Sequence, residues 1–139
     1  MADHVTIQAD QLASTIDKYM KEYGDKATLS MQIAGQKTTK ETAKMVNSSA
    51  ASMIHGRRGT YEKSWKSKTA LSRLSFEGVV YSSQPGLPHL LEHGHAITYL
   101  GGNKGKGPGH ARAIPHIAIV DAQVPDIFEN NIRKEIEKL

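Results

Sequence analysis

The apolar positions near the start of the chain fall on one side of a helix. Leu12, Ile16, Tyr19, Met20 and Tyr23 recur at three- and four-residue spacing, the period that collects side chains into one stripe. Asp10 stands where an N-cap is wanted, Val5 and Ile7 alternate with polar residues before it, and Gly24 is expected to stop the helix. A second helix is predicted from Asp25 to about Met53, with Leu29, Ile33, Ala43, Val46 and Ala50 as a small-residue stripe. Lys37, Lys40, Glu41 and Lys44 form its solvated side.

Gly56, Arg57, Arg58 and Gly59 break this pattern, and the period then changes from helical to alternating. Trp65, Ser67 and Thr69 alternate with lysines, which predicts a half-buried strand with one basic face. A turn near Ser72 and Arg73 leads to a second strand, Phe76 to Ser82, and the two form an antiparallel hairpin. Gln84-Pro-Gly-Leu-Pro is turn chemistry, after which His89 to His93 forms a helical turn or a short strand that Gly94 ends. Ala96 to Leu100 and Ala111 to Ile114 are further strand candidates.

Between them, Gly101 to Gly109 holds five glycines in nine residues and is expected to be a mobile, basic loop carrying Lys104 and Lys106. Pro115 suits the first turn of a final helix running through Ile117, Val120, Val124, Ile127, Phe128, Ile132 and Ile136. Pro125 lies inside that run and should kink or split it. The layout is α+β, with Trp65, Leu90, Leu91, Ile117 and Val120 expected in one core where sheet and terminal helix meet.

Composition narrows the classes. A chain of 139 residues suits a single domain with a modest core. Its net charge of +4 and pI near 9.3 permit a polyanionic neighbour without requiring one. The absence of cysteine excludes disulfides and thiolate-bound metal centres. No apolar run approaches the roughly 20 residues of a membrane helix, and Met-Ala-Asp-His does not resemble a secretion signal, so a soluble, cytosolic chain is expected. Few aromatics argue against a base-stacking platform.

Five of the seven histidines lie between His89 and His116. His89, His93 and His95, with His110 or His116, could form a ligand set for a divalent metal, and Glu92 could serve as a general base. The H-E-x-x-H helix is absent, and Glu92 has no paired acid, nucleophile or oxyanion donor. Ser82 and Ser83 are in no nucleophile elbow, and Lys104 and Lys106 are each followed by glycine instead of completing a phosphate-binding loop. No catalytic, cofactor or metal site is therefore assigned. Arg57, Arg58, Lys63, Lys66, Lys68 and Arg73 form a basic cluster opposed only by Glu62, a solvated hairpin edge or a contact for DNA or an acidic protein.

Three segments in order carry a family resemblance: Arg58-Gly-Thr-Tyr-Glu-Lys-Ser-Trp, Leu87-Pro-His-Leu-Leu-Glu-His-Gly-His, and Arg112-Ala-Ile-Pro-His-Ile. The chain resembles the gp10-like tail-component family of long non-contractile-tailed bacteriophages and prophages, proteins of the neck or tail-completion class. The resemblance implies helices at both ends packed on a small, mainly antiparallel sheet, with a long Gly-rich loop and protomers arranged in a ring at the head–tail junction. It implies no enzymatic activity and no cofactor. The partners implied are connector or head-closure proteins and tail proteins, with packaged DNA a further candidate and no membrane. The location implied is the virion neck, reached through the host cytoplasm during assembly. On this reading His89, Leu90, Leu91, Glu92, His93, Gly94, His95, Pro115 and His116 are structural, while Lys104, Lys106, Arg112 and the basic hairpin meet partners. The competing classes are a small histidine-based metal enzyme and a stand-alone nucleic-acid-binding module.

Overall fold

The computed structural model describes residues 11–54, 60–97 and 109–139, and they form an α+β fold. Gly24 does not stop the first helix: α1 runs unbroken over Leu12–Met53, 42 residues and about 60 Å at 1.5 Å per residue. A mid-helix glycine costs only about 1 kcal/mol relative to alanine, too little to end a helix whose flanks both propagate. The helix begins after Gln11, whose carbonyl accepts the Ser14 hydroxyl at 2.9 Å, and Asp10 lies outside the described residues.

The alternation after Ser64 gives the expected hairpin, β1 (Trp65–Leu71) and β2 (Phe76–Ser82), antiparallel with Trp65 opposite Ser82 and Leu71 opposite Phe76. Ser72 donates its N–H to the Ser75 carbonyl to close the turn. Next come α2 (Leu87–His93), β3 (His95–Ile97), β4 (Gly109–Ala111), α3 (Ala118–Asp121) and α4 (Val124–Ile136). The strands form two separate two-stranded sheets, β1–β2 and β3–β4. The last strand ends at Ala111 instead of running from Ala111 to Ile114, and most of the 101–109 loop is outside the described residues. Pro125 splits the terminal helical run as expected, because it takes the first turn of α4 where its missing N–H breaks no bond. Pro115 does not start a helix: the chain turns through His116, and α3 begins at Ala118.

The core gathers Val46 and Ala50 of α1 and Ile54 just after it with Tyr61, Trp65 and Val120, while Leu91, Ile114 and Ile117 pack against it half-buried. Leu90, expected in this core, is exposed; α2 has about two turns and one inward face, and it turns Leu91 inward instead. Small residues along α1 let the hairpin come close. A methyl group on Gly35 would lie 2.5 Å from the Phe76 ring, and one on Gly78 would collide with the Thr39 hydroxyl. Gly35→Ala is therefore expected to destabilise the fold by about 1–3 kcal/mol, read from the urea midpoint. An unchanged midpoint would mean that Phe76 moves aside freely.

α4 docks on the same helix through polar groups. Asn131 donates to the Thr38 hydroxyl at 3.0 Å, and that hydroxyl itself donates to the Ala34 carbonyl at 2.8 Å. Buried Glu135 pairs with Lys37 and, at 2.9 Å, with Lys138, and these hydrogen bonds hold its carboxyl below its ordinary range. Among the described residues no helix is long and apolar enough to cross a membrane.

Candidate functional site

The two histidine-containing blocks of the sequence meet each other in space. Gly86 and Gly94 bracket α2 with φ values of 84° and 76°, a region that side chains with a Cβ rarely enter. Gly94 also lets the chain pass close to the 111–113 segment, since a Cβ there would stand 2.6 Å from the Ala111 carbonyl oxygen. The Leu91 carbonyl accepts the Ile114 N–H at 2.8 Å, and the Ser49 hydroxyl of α1 donates to the His116 carbonyl at 2.8 Å. Thus α1, α2 and the segment before α3 are tied at one point.

Glu92 and His116 form the polar centre of that point. The Glu92 carboxylate accepts the N–H groups of Ile117 and Ala118, each at 2.9 Å, and so satisfies two of the donors that the start of α3 would otherwise leave open. His116 has no exposed surface. Its Nδ1 lies 2.7 Å from the Ile114 carbonyl and 3.2 Å from Glu92 Oε2. Two acceptors on that side place the ring hydrogen at Nδ1, and Nε2 then accepts the Tyr61 hydroxyl at 2.7 Å. Tyr61 and Trp65 set their ring edges against the imidazole, with centroids 5.5 and 6.4 Å away.

A Tyr–His–Glu chain could in principle relay protons, but this one is sealed and its members are committed. Glu92 holds two backbone donors, and none of the three lines the groove between α1, the β1–β2 hairpin and the last two helices. That groove, about 510 Å³, is bordered by Thr38, Thr39, Thr42, Phe76, Val120 and Phe128, among others. The three threonine hydroxyls each donate to the carbonyl four residues earlier, and none of them bonds to Asp121, the carboxylate on the groove's border, so the lining pairs no nucleophile with a base.

Burial pushes the Tyr61 phenol up to about 12, helped by the nearby negative charge of Glu92. An unfolded phenol ionises near 10, so the contribution of Tyr61 to stability is intact below that pH and disappears as pH rises toward 12. The urea midpoint is expected to fall between about pH 10 and 12, and Tyr61→Phe should flatten that part of the profile. Parallel profiles for the two proteins would show that the phenol does not contribute.

The remaining histidines are elsewhere. His89 and His93 lie one turn apart on the exposed side of α2 with ring centroids 4.8 Å apart, and His95 Nδ1 is 3.4 Å from the Leu90 carbonyl. No group of three metal-ligating side chains comes together among the described residues, and Glu92 is turned away toward α3.

The chain matches no family model, no curated protein and no solved structure. Its function is therefore argued from its surfaces.

Of the basic cluster, Lys63, Lys66, Lys68 and Arg73 are exposed. Lys66 and Lys68 share the outer face of β1, opposite Tyr81 and Val79, with the Lys68 ammonium 5.6 Å from the Tyr81 ring centroid. α1 covers the inner face. Arg112 is exposed just after β4, and Arg57, Arg58, Lys104 and Lys106 lie outside the described residues. Sequence reasoning missed Tyr61 as the partner of His116, and also Asn47, whose side-chain amide meets both backbone groups of Trp65 at 3.2 and 3.3 Å. Asn47 lies off the apolar stripe of its helix and carries no local signal, and Tyr61, although it lies within the Arg58–Trp65 segment, has nothing beside it in sequence that points to a partner 55 residues away.

Proposed function

We propose that this chain is a non-enzymatic structural protein of a phage virion, acting at the neck or tail-completion position to join the DNA-filled head to the tail. One observation carries the reading: among the described residues the Tyr61–His116–Glu92 arrangement is consumed in tying the fold together, while the free surface is a bare helical arm and a lysine-faced hairpin. Such surfaces supply contacts rather than chemistry. The order of the three segments that resemble gp10-like tail components supports the same class, with protomers in a homo-oligomeric ring against connector and tail proteins.

The test is a deletion in a phage or prophage that carries the gene. Lysates should contain DNA-filled or leaking heads and separate tails, with few infectious particles, and purified protein should restore joining. Normal particle yield would overturn the proposal.

The exposed lysine face favours one second reading, a nucleic-acid contact. It requires DNA affinity that falls steeply with salt, because each neutralised phosphate releases counterions. Salt-insensitive or absent binding removes it.

A further inference from the structure

From Leu12 to Lys26 every residue of α1 except Thr15 is exposed, so about four turns of the helix project from the body, met only where Leu139 reaches Tyr19 and Tyr23 among the described residues. Leu12, Ile16, Tyr19, Met20 and Tyr23 remain 47% to 69% exposed along it. Leu139, at the end of the chain, lies beside Tyr19 and Tyr23 and widens the apolar patch. An amphipathic helix owes most of its stability to burying its apolar face, and among the described residues nothing covers this one.

The spacing shows what would fit. Leu12, Ile16, Tyr19 and Tyr23 follow one another by four, three and four residues, the alternation of a two-helix seam with a 3.5-residue period. The next seam position is Lys26. The arm carries three cations, Lys18, Lys21 and Lys26, and three anions, Asp17, Glu22 and Asp25, so it is neutral although the chain is +4.

We propose that the arm is a homotypic docking surface on which two copies of this chain pair antiparallel. Leu12 of one copy lies against Tyr23 of the other, and Ile16 against Tyr19. A neutral arm meets its own copy without net repulsion. The antiparallel direction follows from two charges. A parallel pair would set Lys26 against Lys26 and bring two bodies, residues 27–139 with a charge of +6 each, to the same end, whereas the antiparallel pair leaves Lys26 beyond the four paired layers and separates the bodies. The flanking positions then place Ala13 opposite Met20 and Thr15 opposite Glu22, with no like charges facing. Two short heptads bury on the order of 1,000 Å², near the lower limit for a specific interface, so the pair is expected to dissociate in the micromolar range. The inference does not depend on the head–tail reading and holds or fails separately from it.

Sedimentation of the full chain should show a dimer that dissociates on dilution. Ile16→Glu, at an exposed position outside the contact of Tyr19 and Tyr23 with Leu139, should weaken it by about 30-fold or more, as loss of a central apolar anchor does, while leaving the near-ultraviolet circular dichroism of the body unchanged. Because the chain has no cysteine, direction can be read from introduced thiols. A mixture of the single variants Ala13→Cys and Met20→Cys should oxidise to the mixed covalent dimer, and Lys26→Cys alone should not. A monomer at up to about 100 μM, an oligomer indifferent to Ile16→Glu, or efficient cross-linking of Lys26→Cys to itself overturns the proposal.

Discussion

His116→Ala is expected to lower folding stability by about 3 kcal/mol or more, one of the two largest losses available to a single substitution in this chain. The imidazole is the largest fully buried side chain among the described residues, so alanine leaves a void and also strands the groups it joined. The Tyr61 hydroxyl loses its acceptor, and the Ile114 carbonyl and Glu92 lose the N–H between them. A domain of this size has roughly 5–15 kcal/mol in total, so thermal unfolding should move down by on the order of 10 °C. Adding Tyr61→Phe to His116→Ala should recover part of the loss, because it removes the stranded hydroxyl. A drop below about 1 kcal/mol would show that water enters and replaces the ring.

Trp65→Ala should cost a similar 3–5 kcal/mol, since the indole joins the hairpin to α1 and borders both Tyr61 and His116. Trp65→Phe separates the causes. The buried indole N–H makes no hydrogen bond of full geometry and at most touches the Tyr61 oxygen, so phenylalanine loses volume but also removes a poorly met donor, and the net cost should stay below about 1.5 kcal/mol. Equal losses in the two variants, measured by urea unfolding, would show that the N–H has a partner in solution.

Periodicity made the elements legible where a stripe or an alternation was long. The β1–β2 hairpin, the split at Pro125 and the arm stripe from Leu12 to Tyr23 could all be read from spacing. Gly24 misled because local propensity was weighed without the length of helix on either side. The site was half legible. The blocks around His89–His95 and Arg112–Ile117 stood out as sequence, yet their meaning lay in Glu92 reaching the N–H groups of Ile117 and Ala118, 25 and 26 residues away. No periodic rule contains a contact of that range. The small residues of α1 were visible too, though Gly35 could be assigned to Phe76 only once the strand was in place.

The polar seam between α1 and α4 also fixes alignment along the helices. Ala34 and Thr38 are small and buried, and alone they would let an apolar partner rest at several heights. Asn131 and Glu135 remove that freedom. Moving α4 by one turn, about 5.4 Å, would carry the Asn131 amide away from Thr38 and the Glu135 carboxylate away from Lys37, stranding both inside the interface. Each would then meet a desolvation penalty of about 1–3 kcal/mol or more, so α4 has one allowed height on α1, and the end of the chain is held at a fixed distance from the base of the arm.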